Sequence, residues 1–302
     1  MDNNSNIYTI KTSTTEEVIE QATVEALKKT LENANTSTTL TEYYDNKFGK
    51  TKITIKVLQS LLPRRWLSDC IVHLYYLIIR QKYPNYVYFS PDFTKLLRTG
   101  KYESYGIELH IKTSCEQLTN GGIDAILIPM QVSDHWILSV ISGDGCVIIY
   151  DTLADKKALQ QILFLLSNWI HAKFPGIDWE FYHPIKKPQL SEKSNGGVSV
   201  CVYGDLFCKI GDPHTDEIVE RAGKIDINNY RFVILKKLMD SFDLKFPQTP
   251  APTPPNLFPM PTMNNLDFMQ SSLLGDPSYL EELESDLASG SLDEDLQSIL
   301  GL

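Results

Sequence analysis

His135-Trp136-Ile137-Leu138-Ser139-Val140-Ile141, then Ser142-Gly143-Asp144-Gly145, then Cys146-Val147-Ile148-Ile149-Tyr150-Asp151 is the stretch that decides the fold. Two apolar runs flank a short polar gap with two glycines, the pattern of two strands joined by a tight turn. In such an antiparallel pair the start of the first strand lies beside the end of the second. The pairing therefore predicts that the His135 imidazole and the Asp151 carboxylate, sixteen positions apart, meet at one edge of the sheet. A carboxylate beside a histidine fixes its tautomer and steadies the imidazolium, as a general base requires.

Outward from this hairpin the pattern alternates between strand and helix. Ala125-Ile126-Leu127-Ile128-Pro129 supplies a third short apolar run, and Ile53-Thr54-Ile55-Lys56-Val57 alternates like a half-buried strand. Asp69 to Gln81 reads as a buried helix that stops before Pro84. Leu159, Ile162, Leu163, Leu166 and Trp169 give Lys156 to Lys173 helical spacing. Further helices are expected after Gly196-Gly197 and over Asn229 to Asp240. Thr14-Thr15-Glu16-Glu17 opens another, with a threonine cap, acids in the first turn, and Val18, Leu27 and Leu31 on one face. Strands flanked by helices make the class α+β.

Charge divides the chain more sharply than it describes it. The whole 302-residue sequence carries a net charge of −10. From Phe246 onward there are nine acidic residues and no lysine or arginine, which leaves 29 acidic residues against 28 basic ones in the remainder. A nearly neutral body with an acidic tail lacks the basic stripe that nucleic-acid binding needs. The longest dense apolar stretch, Ile71 to Ile79, is interrupted by His73 and is far short of the roughly 20 residues of a membrane span. No signal pattern opens the sequence, so the expected address is intracellular, nucleus or cytoplasm. The five cysteines (Cys70, Cys115, Cys146, Cys201 and Cys208) are scattered, without Cys-x-x-Cys spacing, and read as reduced thiols rather than disulfides or zinc ligands. Neither a metal nor a cofactor is expected.

Three segments follow: an N-terminal extension with one helix (1–51), a folded domain (52–246), and a tail (247–302). Pro247, Pro250, Pro252, Pro254, Pro255, Pro259 and Pro261 make the start of the tail a linker. Beyond it come Leu266-Asp267-Phe268-Met269, Tyr279-Leu280-Glu281-Glu282-Leu283 and Leu292-Asp293-Glu294-Asp295-Leu296. Acidic-hydrophobic alternation of this kind marks a disordered segment. It either stays solvated or folds as a short helix in a partner's groove, which makes 266–302 a candidate for a protein partner.

Several motifs in order carry a resemblance. Trp66-Leu67-Ser68-Asp69 precedes the buried helix, followed by Tyr88-Phe89-Ser90-Pro91-Asp92-Phe93 and Ile126-Leu127-Ile128-Pro129. Then come Asp134-His135-Trp136-Ile137-Leu138, Ile148-Ile149-Tyr150-Asp151-Thr152-Leu153, Pro188-Gln189 and Val198-Ser199-Val200-Cys201. In that order they resemble the SUMO/sentrin-specific, ubiquitin-like-protein cysteine proteases, from about Lys52 to about Asp240. The resemblance implies a cysteine-protease-like fold, a mixed central sheet flanked by helices, with the disordered acidic tail following it. It implies His135 as base, Asp151 as orienting acid, and Trp136, Trp66, Asp69 and Gln189 as contacts for a modifier's tail.

The family pattern then calls for a glutamine supporting the oxyanion and, six residues on, a cysteine opening a helix. Aligned without gaps, those positions hold Leu190 and Gly196. Glycine cannot form an acyl-enzyme and leucine cannot donate to an oxyanion. The resulting expectation is a peptidase fold without peptidase activity, which binds a ubiquitin-like modifier (SUMO, or NEDD8 or ubiquitin) or its conjugates. Two alternatives stay open: an active cysteine isopeptidase whose nucleophile lies elsewhere, and an interaction protein acting through its tail.

Overall fold

The structure is a computed structural model that describes residues 20–45, 49–101, 105–132, 135–151, 156–184, 192–211 and 216–246. In chain order the elements are α1 (Gln21–Asn33), β1 (Thr39–Asp45), β2 (Gly49–Thr54), α2 (Ile55–Gln59), α3 (Asp69–Lys82), β3 (Tyr86–Tyr88), α4 (Phe93–Thr99) and α5 (Tyr105–Thr119). They continue with β4 (Ala125–Val132), β5 (His135–Ser142), β6 (Cys146–Asp151), α6 (Lys156–Lys173) and β7 (Glu180–Tyr182). A 3-10 turn (Lys193–Asn195) then leads into α7 (Gly196–Ile210), α8 (Glu217–Lys224) and α9 (Ile227–Phe242).

The central sheet runs β3-β4-β5-β6-β7. Its outer pairs are parallel and its two inner pairs, β4 with β5 and β5 with β6, are antiparallel. The expected hairpin therefore forms the middle of a mixed sheet covered by helices on both faces. Alternation along β5 shows how: Trp136, Leu138 and Val140 join the core under α3, α7 and α9, while Ile137 and Ile141 join the core under α4, α5 and α6. Strands covered on both faces read as continuous apolar runs, and every residue of β5 and β6 is buried.

Two sequence expectations change. The half-buried strand expected over 53–57 ends at Thr54, whose hydroxyl accepts from Val57 N and caps α2. Local capping thus overrides the alternating pattern. The extension expected over 1–51 also shares the main core: Leu31 of α1 is fully buried there, Val24 is buried, and Gln59 Nε2 donates to Leu31 O at 2.8 Å. The expected division after residue 51 falls inside β2, which pairs with β1 in a separate two-stranded sheet. Thr14, Thr15 and Val18, like residues 247–302, lie outside the described residues.

Helix α7 sets up everything that follows. It is mostly apolar and buried from Gly196 to Cys208, with buried Asp205 paired to Lys209 and Lys237, so it runs through the core rather than over the surface. Tyr76 of α3 donates to Val200 O at 2.7 Å, locking the two helices in register.

Candidate functional site

The register of the sheet delivers the first part of the site. Asp151 closes β6 opposite Ile137, two residues along β5 from His135. His135 Nε2 lies 2.6 Å from Asp151 Oδ1, with His135 only 4% exposed and Asp151 1%. A carboxylate accepts, so Nε2 carries the hydrogen of this bond. His135 Nδ1, on the other side of the ring, has no hydrogen-bond partner among the described residues, and neither does Trp136 Nε1.

The start of α7 packs on those same residues. A Cβ built on Gly196 would lie 3.5 Å from Trp136 Cβ and 3.6 Å from Trp136 N, ordinary contact distances. Gly196 has helical φ and ψ (−54° and −46°), which any residue adopts. Gly197 differs. A Cβ there would lie 2.7 Å from Leu67 Cβ, so the close approach of the segment before α3 demands glycine. A side chain fits at position 196 and does not fit at 197. The backbone N–H of Gly196 donates to Lys193 O.

What holds this helix start in place is Arg231 of α9, fully buried. Its Nε and Nη2 donate to Asn195 Oδ1 (3.3 and 2.8 Å), Nη2 also to Ser194 O (2.9 Å), and Nη1 to Ser60 O and Leu62 O (3.1 and 3.4 Å). Desolvation pulls its pKa down to about 10, against the opposing charge of Glu192. Because Asn195 faces Arg231, no side chain caps α7. Neither Arg231 nor Asn195 was singled out by the sequence pattern. The available signal was a lone arginine opening the apolar run Phe232-Val233-Ile234-Leu235, since a charge on a buried helix must find partners.

The five thiols lie elsewhere and are free. Burial pushes Cys70 and Cys146 up to about 11 and Cys115 up to about 12, and raises Cys201 and Cys208 further. Protonated thiols of this kind are poor nucleophiles. Of the neighbouring hydroxyls, Ser199 is buried and donates to Asn195 O at 3.1 Å. Among the other expected residues, Trp66 is 44% exposed in the turn before α3, next to the Leu67 that meets Gly197. Asp69 is the exposed first residue of α3. Gln189 and Leu190 lie outside the described residues. The structure thus gathers His135, Trp136, Asp151 and Gly196 at one place. Among the described residues no cluster of His, Cys, Asp and Glu is suited to a metal ion, and no helix is long and apolar enough to cross a membrane.

No family model matches the chain. A curated relative, "Ubiquitin-like-specific protease 1" of Saccharomyces cerevisiae, is 26% identical over 177 residues, covering 55% of this chain and 28% of the yeast protein. "Ubiquitin-like-specific protease 1A" of Arabidopsis thaliana is 30% identical over 107 residues, 32% of this chain and 21% of that protein. The chain therefore spans less than a third of the length of these curated relatives. Among solved structures, the C-terminal Ulp1 protease domain in complex with Smt3, the yeast orthologue of SUMO, superposes with a TM-score of 0.56 at 22% identity. That match covers 74% of this chain and 96% of the solved domain, and it shows that the fold is the Ulp1 protease fold. The family read from the sequence motifs is supported: the relatives in sequence and in fold are Ulp1-like SUMO proteases.

Proposed function

We propose that this relative of the ubiquitin-like-specific proteases is a pseudoprotease, binding a ubiquitin-like modifier or its conjugates without cleaving them. The observation that carries the reading is the glycine at the head of α7, packed on Trp136 where a side chain would fit. In this reading His135 and Asp151 are a retained base and orienting acid with no nucleophile to activate. Gly196 stands at the nucleophile position and Leu190 at that of the oxyanion glutamine. None of the five thiols substitutes, because each is held protonated by burial. The Gly196 N–H, which would serve an oxyanion, is engaged by Lys193 O.

Trp136, Trp66, Asp69 and Gln189 are the proposed contacts for the modifier's tail. SUMO is the proposed modifier, because the Ulp1 domain of the same fold was solved with Smt3; NEDD8 and ubiquitin are the comparators. An intracellular location and a protein partner for residues 266–302 belong to the same proposal.

Release of a fluorogenic reporter from the C-termini of SUMO, NEDD8 and ubiquitin tests it. The unaltered protein is expected to be inert, and Gly196→Cys to gain partial activity toward one of them. Cleavage by the unaltered protein, blocked by alkylation and lost in His135→Ala, would overturn the reading in favour of an active isopeptidase.

A further inference from the structure

Far from His135, helices α4 and α6 leave between them a groove of about 460 Å³. Leu97 on α4 and Gly100 just after it line one wall; Phe164, Leu165, Trp169 and Lys173 of α6 line the other. Leu97, Phe164, Leu165 and Trp169 are half-buried, and Phe164 and Leu165 join neither core of the described residues. Contiguous apolar side chains left half in water mark a surface that another segment covers.

Charge says what kind of segment. Residues 93–101 and 156–173 contain Lys95, Arg98, Lys101, Lys156, Lys157 and Lys173 and no acidic residue. Lys157 lies two turns before Phe164, on the same stripe of α6. Glu108 and Glu116 of α5 line a separate recess that shares only Lys173 with the groove. An occupant that fits carries apolar residues on one face and acids beside them.

The chain supplies such a segment itself. Asp276-Pro277 has the residue types of a helix cap and first position, and Gly290 that of a stop. Wound as a helix, the sequence between them puts Leu280, Leu283 and Leu287 on one stripe, with Glu284 and Asp286 to either side. Leu280 to Leu287 would then span about 10 Å, within the roughly 13 Å from Phe164 to Lys173 along α6. The chain leaves from α9, which packs on the other face of the sheet. Residues 247–275 bridge that distance: they reach up to about 90 Å at roughly 3.1 Å each, around a domain whose radius of gyration is about 17 Å. A segment tethered in this way meets its groove at an effective concentration on the order of 1 mM, so a weak contact keeps it docked.

We propose that residues 277–289 of this chain dock as an amphipathic helix in the groove between α4 and α6, their acids against Arg98, Lys101, Lys157 and Lys173. The proposal is independent of the pseudoprotease reading. It means that a protein partner for the tail has to draw it off its own domain first.

Carbodiimide crosslinking of the full chain, which joins lysine amines directly to carboxylates, tests this when the links are mapped by mass spectrometry. Links from Glu281, Glu282, Glu284 and Asp286 to Lys101, Lys157 and Lys173 are expected to exceed those to Lys29 and Lys236, exposed on α1 and α9. The expected excess is about tenfold, the ratio of docked to free tail for an intrinsic Kd of about 0.1 mM. Leu280→Ser, Leu283→Ser and Leu287→Ser together keep every charge and every residue of both cores, and are expected to bring that ratio close to one. Mixing isotope-labelled with unlabelled chains is expected to show the links within single chains. Equal yields at all five lysines, or an excess that survives the serine substitutions, would overturn the proposal. Links chiefly between labelled and unlabelled chains would overturn it in favour of a second copy as the occupant.

Discussion

Two buried histidines in this protein live in different surroundings. His73 sits on α3, 8% exposed, with Nδ1 against the Tyr88 hydroxyl at 2.9 Å. His135 opens β5, 4% exposed, with Nε2 against the Asp151 carboxylate at 2.6 Å. Burial, aided by the charge of Arg80 and opposed by that of Asp45, pulls His73 down to about 4, so it is a neutral core residue at physiological pH. Beside His135 stand a carboxylate, an unpartnered indole and a glycine that opens a helix. Burial therefore does not mark a functional histidine; the charge of its partner and the group facing its second nitrogen do.

The largest expected effect would break the His135 region from behind. Arg231→Met removes the donors that hold Ser194, Asn195, Ser60 and Leu62. Asn195 Oδ1, Ser194 O and Ser60 O lose these donors, whereas Leu62 O keeps the Arg65 N–H, and urea denaturation is expected to show a loss of about 3–5 kcal/mol.

Acid titration sharpens the other side of the comparison. His73 has a folded pKa near 4, below its ordinary value of 6.5, so the unfolded chain binds the proton first. Its contribution to stability is complete above about pH 6.5 and is lost as pH falls from there toward 4, by roughly 3 kcal/mol. His73→Phe is expected to flatten that part of the stability profile. An unchanged profile would mean that His73 is not the group responsible.

The two glycines at the head of α7 separate space from chemistry. Gly197→Ala drives a methyl into Leu67 and is expected to cost about 1–3 kcal/mol in thermal or urea unfolding. Gly196→Ala meets ordinary contacts in a helical conformation and is expected to be neutral or stabilising by less than about 1 kcal/mol. Equal losses at both positions would mean that position 196 has no room for a side chain, and would undercut the expected gain from Gly196→Cys.

Much of this was legible in the sequence because the signals were local. The apolar runs and the Gly143 and Gly145 turn announced the hairpin, and antiparallel pairing was enough to bring His135 to Asp151. The helices over 69–81, 156–173 and 229–240 announced themselves by apolar spacing, and their observed ends differ by at most two residues. Where a cap competed with a pattern, the pattern misled: Ile53 to Val57 alternates like a strand, yet from Ile55 the chain turns as a helix behind Thr54. The strand β1 carries mostly polar or half-buried residues and left no comparable pattern.

The sequence by itself determined the strand-turn-strand core, the meeting of His135 with Asp151, the family resemblance and the glycine at position 196. These depend on residue order and on the fixed periods of strand and helix, which local stereochemistry imposes. Only the tertiary structure decided that α1 belongs to the main core, that Arg231 clamps the start of α7, and that a side chain fits at Gly196 but not at Gly197. Each of those depends on distances between segments far apart in the chain, such as Ser60 with Arg231 or Leu67 with Gly197. Such distances are set by packing and have no counterpart in a local pattern.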